Sequence, residues 1–115
     1  MSRLTWDGRA CTNPPEGWRI ETCETHTGGW AWVARERSAG GALYQGRDTA
    51  TEAEAKRSCE AALLRLGVLE PGEDWVNAAD VLLASVGSRD ADDRRRAVIA
   101  VARALAALEV EKEHV

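Results

Sequence analysis

Cys23-Glu24-Thr25-His26 places a thiol three residues before an imidazole. That spacing allows two chemistries. Joined by Cys11 and Cys59, it supplies the sulfur and nitrogen ligands of a tetrahedral zinc site. Alone, it is a nucleophile beside a base. Neither is favoured. There is no second closely spaced pair, and nothing in the sequence brings Cys11 near. Cys59 falls on the apolar face of a helical pattern, where cysteine is a common small hydrophobe. His26 belongs to a turn, and His114 is the penultimate residue. Gly28-Gly29 and Gly40-Gly41 mark chain reversals and do not form a phosphate-cradling loop. The many carboxylates at helical spacing are those of solvated faces. The expectation is therefore no enzyme, no cofactor and no metal.

The remaining candidates are residues of recognition. Arg94-Arg95-Arg96 is the densest cationic run. Guanidinium groups of this kind contact phosphate or an acidic partner. Asp90, Asp92 and Asp93 lie just upstream, and pairing across one helical turn is the simpler reading. Trp30 and Trp32 are two residues apart, so on a strand their indoles lie on the same side. At least one of them is expected to be core. An exposed aromatic platform is the alternative. The candidate partner-binding set is Trp30, Trp32, Arg94, Arg95 and Arg96.

Several elements must position these residues. Leu4 and Trp6 alternate ahead of Asp7-Gly8, a pair able to turn a short hairpin. Asn13-Pro14-Pro15-Glu16-Gly17 is a loop, because proline fixes φ and removes a donor. Alternation then takes over. Trp18, Ile20 and Thr22 oppose Arg19, Glu21 and Cys23; Trp30, Trp32 and Ala34 oppose Ala31, Val33 and Arg35; Leu43 and Tyr44 mark a short third run. Gly28-Gly29 and Ser38-Ala39-Gly40-Gly41 supply the reversals of an antiparallel meander. Trp18, Trp30 and Trp32 share a face if the register allows it.

From residue 51 the period becomes helical. Ala55, Cys59, Ala62, Leu63 and Leu66 form one face. Thr51 with Glu54, or Thr49 with Glu52, makes a capping box, and Gly67 suits the C′ position. A second helix is expected from Asp74 as N-cap, burying Trp75, Ala79, Leu82, Leu83 and Val86 and stopping at Gly87. A third starts after Ser88 or Asp90 and runs to about Lys112, with Asp90, Asp92 and Asp93 in its first turn favouring its macrodipole. One stripe holds Val98, Val101, Ala102, Leu105 and Leu108. Beside it runs a second of Ala97, Ala100, Ala104 and Ala107, small enough for another helix to approach closely. A homodimer through that alanine stripe is the expectation.

The bulk numbers bound the class. The chain has 115 residues and a net charge of −4, which fits a single domain with a modest core and no general attraction for nucleic acid or anionic membrane. No apolar run is long enough to span a bilayer, and the N-terminus lacks an apolar signal core. Three cysteines, an odd number, suit reduced thiols. A cytoplasmic protein is expected, with residues 17–67 forming meander plus helix and residues 74–112 a two-helix C-terminal part.

The order meander then "TATEAEAKRSCEAALLRLG" resembles the β-β-β-α part of double-stranded-RNA-binding domains through Ala55-Lys56, Ala61-Ala62 and Leu66. It is also similar to the arm-binding domain of phage integrases through Trp30, Thr51, Glu54 and Ala55. The resemblance covers residues 17–67 and implies a sheet-plus-helix module able to bind nucleic acid. The phosphate-binding lysines of the RNA-binding helix are replaced by Thr51, Glu52 and Glu54, the preceding helix is missing, and the sheet is not rich in Lys or Arg.

The resulting expectation is an α+β protein with a three- or four-stranded antiparallel sheet and three helices. Its function is non-enzymatic binding of a protein or nucleoprotein target. Compactness, mild acidity and the lack of a catalytic constellation fit phage- or mobile-element-encoded inhibitors such as anti-CRISPR proteins. A nucleic-acid-binding β-β-β-α module is the alternative, although free nucleic acid is not the expected partner.

Overall fold

The computed structural model describes residues 4–38, 40–46, 48–84 and 91–112. The fold is α+β, with one five-stranded antiparallel sheet of order β1-β2-β3-β4-β5 and three helices. The strands are β1 (Trp6–Asp7), β2 (Ala10–Cys11), β3 (Trp18–Glu24), β4 (Trp30–Glu36) and β5 (Leu43–Gln45). The expected meander is β3 to β5. The first two strands exceed the expected count. Each is two residues long, too short to display an alternating pattern. The hairpin between them turns where Asp7-Gly8 allows it, with Gly8 at φ 61°, a value cheap only for glycine.

Register decides which residues share a face. Trp18, Ile20, Thr22 and Glu24 stand opposite Glu36, Ala34, Trp32 and Trp30. All three tryptophans of β3 and β4 therefore lie on one face. Ile20, Thr22, Trp32 and Ala34 are buried there. Trp18 stacks on Tyr44 with ring centroids 5.9 Å apart, although the two lie in adjacent rows, Trp18 opposite Glu36 and Tyr44 opposite Ala34. The opposite face carries Arg19, Cys23 and Arg35 exposed, with Glu21, Ala31 and Val33 half-buried. The apolar residues of β4 on that side do not seal a second core.

The helices are α1 (Glu52–Leu66), α2 (Glu73–Ala84) and α3 (Ala91–Lys112). Thr51 caps α1, its Oγ1 accepting the Glu54 N–H at 3.2 Å. Thr49 does not cap: its hydroxyl donates to the Thr51 carbonyl and its backbone forms a bridge with Trp30. Gly67 closes α1 at φ 81°. Its N–H reaches the Leu64 carbonyl and that of Val68 reaches Leu63, the paired bonds of a Schellman motif. α2 starts one residue before the expected N-cap. The Gly72 carbonyl accepts the N–H groups of Trp75 and Val76, so Asp74 lies in the first turn. Val86, Gly87, Ser88 and Asp90, read as a helix stop and start, lie outside the described residues, as do Ala39 and His114.

The chain divides into two compact units, Arg3–Glu60 and Ala61–Glu113. The boundary falls within α1. In the first unit, the Leu4 N–H donates to the buried Glu60 carboxylate at 2.7 Å, and the Lys56 ammonium lies 5.3 Å from the Trp6 ring centroid. Both contacts tie α1 to the segment of Leu4 and β1. In the second unit, Ala79 of α2 packs with Val98 and Ala102 of α3, and Trp75, Val76, Leu83 and Val101 surround them.

Three residues expected in the core are exposed: Leu66, Leu82 and Leu108, at 50, 56 and 46%. Leu64, Ala106 and Val110 are buried instead. In α1 burial spreads round the helix, from Ala55 and Cys59 to Ala61 and Leu64. In α3 the buried Val98, Ala102, Ala106 and Val110 follow an i, i+4 row, joined by Ala107. Leu108 lies roughly 120° from Ala102 at 100° per residue, off that row. Among the described residues, no helix is long and apolar enough to cross a membrane.

Candidate partner-binding site

α3 carries Arg94, Arg95 and Arg96 one turn into the helix, and they separate by role. Arg94 leans toward α2, where its Nη2 meets the Asp80 carboxylate at 3.0 Å. Arg95 and Arg96 are exposed. Among the described residues neither has an ion-pair partner. Asp92 and Asp93 do not pair with the run across the first turn; the acid it uses comes from α2.

A shallow depression of about 350 Å³ runs along the helix beside the two free arginines, lined by Arg95, Arg96, Ile99, Ala100 and Arg103. A second of about 270 Å³ adjoins it, sharing Arg95 and Ile99 and bounded by Asp80 and Arg94. Arg103 is half-buried, 3.7 Å from Glu70, and its Nε is buried without a hydrogen-bond partner among the described residues. Helical periodicity brings these residues together: 95 and 99, 96 and 100, and 96 and 103 fall on neighbouring rows. Ile99 and Arg103 were missed from the candidate set. The i, i+7 repeat of arginine was the available signal. Arg94 and Arg103 are tethered, whereas Arg95 and Arg96 present forks able to take a carboxylate through two parallel bonds.

The tryptophans divide as well. Trp32 is 4% exposed, a core residue withdrawn from the partner-binding set because a partner cannot reach it. Trp30 is half-buried, with the Arg9 guanidinium 5.0 Å from its ring centroid. Arg9 is in turn held by Glu24 at 2.6 Å. A cation already occupies the space over that ring, so Trp30 offers little open platform.

Of the alanine stripe, Ala97, Ala100 and Ala104 are exposed. Ala107 is 0% exposed and is withdrawn from the expected dimer surface, since burial turns toward it at that point of α3.

Cys23 is exposed, Cys11 half-buried and Cys59 buried, all as free thiols. Burial pushes the Cys59 thiol well above its ordinary pKa, with Cys11 and Glu60 adding to the rise. It pushes Cys11 up as well, against hydrogen bonds from Asn13 and Thr5. A nucleophile or metal ligand needs the thiolate, and burial opposes it at both positions. Among the described residues no group of three His, Cys, Asp or Glu side chains is placed to hold a metal ion.

Comparison with known proteins found no matching family model, no matching curated protein and no matching solved structure.

Proposed function

We propose that this chain is a non-enzymatic interaction protein that binds a protein or nucleoprotein target through the arginine-bearing face of α3. In kind it is a phage or mobile-element inhibitor of the anti-CRISPR type, acting in the cytoplasm. The supporting observation is the pair of exposed arginines, Arg95 and Arg96, which have no ion-pair partner among the described residues and lie beside a shallow floor of Ile99 and Ala100. Arginine is enriched at protein interfaces, and a central arginine commonly carries a large share of binding energy.

The test is a phage challenge of hosts carrying CRISPR immunity, with and without the expressed chain. Restored plaquing is expected for the native sequence. It should be lost for an Arg95→Glu/Arg96→Glu variant that keeps its melting temperature. Plaque counts that stay at the immune level across CRISPR types would reject the inhibitor. Fluorescence anisotropy with duplex DNA, duplex RNA and single strands at physiological salt separates the alternative. Weak or no binding is expected, and sub-micromolar affinity would instead favour the nucleic-acid-binding module.

A further inference from the structure

The open face of the sheet holds an arrangement that its own unit leaves unresolved. Arg19 on β3 and Arg35 on β4 are directly opposite each other, and Leu43 on β5 is directly opposite Arg35. One row across three strands therefore reads Arg19, Arg35, Leu43. Both arginines are exposed, and Leu43 is 50% exposed. Like charges directly opposed across a ladder are destabilising. The only acid that approaches the pair among the described residues is Glu21, 3.7 Å from Arg19, and Arg35 has no ion-pair partner there. The like charges of this row are offset by Glu21 alone among the described residues.

We propose that this row is a docking site for an acidic polypeptide segment. One or two carboxylates bridge Arg19 and Arg35, and a neighbouring apolar side chain lies on Leu43. Charge complementarity sets the anion: two parallel guanidinium forks match carboxylates bidentately and lose their mutual repulsion when one sits between them. The adjacent row chooses between a polypeptide and a nucleic acid strand. It reads Asp7, Ala10, Glu21, Val33 and Gln45 across the five strands. A phosphodiester chain leaving the arginines along this face meets two carboxylates, whereas a short peptide with local acidity does not need to cross that row. The site lies wholly in the Arg3–Glu60 unit.

The experiment is a titration of the intact protein with a capped heptapeptide alternating Glu and Leu, read by the arginine Nε–Hε resonances. Gln/Leu and Lys/Leu peptides and a short duplex DNA form the other arms. The Glu/Leu peptide should shift the Arg19 and Arg35 signals. Its affinity should fall about ten-fold or more in Arg35→Gln, in line with the loss of a charged hydrogen bond. Arg35→Glu should abolish binding while raising the melting temperature, since it turns the like-charge pair into an opposite-charge one. Equal shifts with the Gln/Leu peptide, retained affinity in Arg35→Gln, or a lowered melting temperature in Arg35→Glu would each overturn the proposal. So would duplex DNA that shifts the same two signals at lower concentration than the peptide.

Discussion

Trp32 shows how one residue organises the sheet. Its indole is buried beside Gly46, where an added Cβ would overlap Nε1, Cδ1 and Cε2 of the ring. The Gly46 N–H also donates to the Trp32 carbonyl at 3.0 Å. Glycine is required there for space, not for an unusual φ. Trp32→Ala should cost about 3–5 kcal/mol, and Gly46→Ala should be destabilising although it adds a single methyl. Denaturant titration of both variants checks this; a Trp32→Ala protein as stable as the native one would return the indole to the surface. The thiols give a second residue-scale expectation. In the native state an aromatic disulfide reagent should modify Cys23 rapidly and Cys59 only on unfolding. The raised pKa of Cys59 also sets a sign. The unfolded thiol ionises first, so the unfolded state binds fewer protons at alkaline pH. Stability from this group is intact below the ordinary thiol pKa, about 8.5, and declines as pH rises above it. Cys59→Ala should flatten that alkaline decline.

At the scale of the element, α1 and α3 depart from a simple amphipathic helix. Leu64 of α1 is 3% exposed and Leu66 is 50% exposed, the reverse of what the Ala55–Cys59 line extrapolates to. Leu64→Ala is expected to cost about 2–5 kcal/mol, and Leu66→Ser to stay within about 0.5 kcal/mol. Thermal unfolding of the two variants side by side decides the face. The end of α1 is tied to the end of α3 by Arg65 and Glu111. The Arg65 guanidinium holds the Glu111 carboxyl below its usual value. The resulting stability is present above the ordinary carboxylate range and lost as pH falls through the lowered one. Both side chains are nearly half exposed, so the contribution stays below about 1 kcal/mol. Glu111→Gln should lower stability at neutral pH by that small amount and leave stability in acid nearly unchanged.

For the whole molecule the open question is assembly. Ala97, Ala100 and Ala104 remain accessible on α3, with Leu108 exposed on the following turn. A second copy of the helix can approach small side chains closely, and a two-fold axis would use the same residues twice. We expect a homodimer at tens of micromolar, on the order of −6 to −7 kcal/mol. Light scattering should report a doubled mass for the native protein and a monomer for a folded Ala100→Glu variant. A native protein that is monomeric at that concentration, or a folded Ala100→Glu dimer, would rule the interface out.

The meander, the three helices and both ends of α1 were legible in the amino-acid order because they rest on local physics. Alternation sets β3 and β4, the Thr51 hydroxyl starts α1, Gly67 ends it, and acidic residues fill the first turn of α3. Trp30 and Trp32 could be placed on one face from their spacing alone. Which tryptophan is covered could not, because that depends on Gly46 arriving from another strand and on Arg9 reaching Trp30 across the sheet. The same division explains the arginines. Arg94-Arg95-Arg96 is conspicuous as a run, but Asp80 takes one of its members only once α2 lies against α3. Arg19 and Arg35 are sixteen residues apart and carry no common signal. Register makes them neighbours, and register is a property of paired strands rather than of either strand.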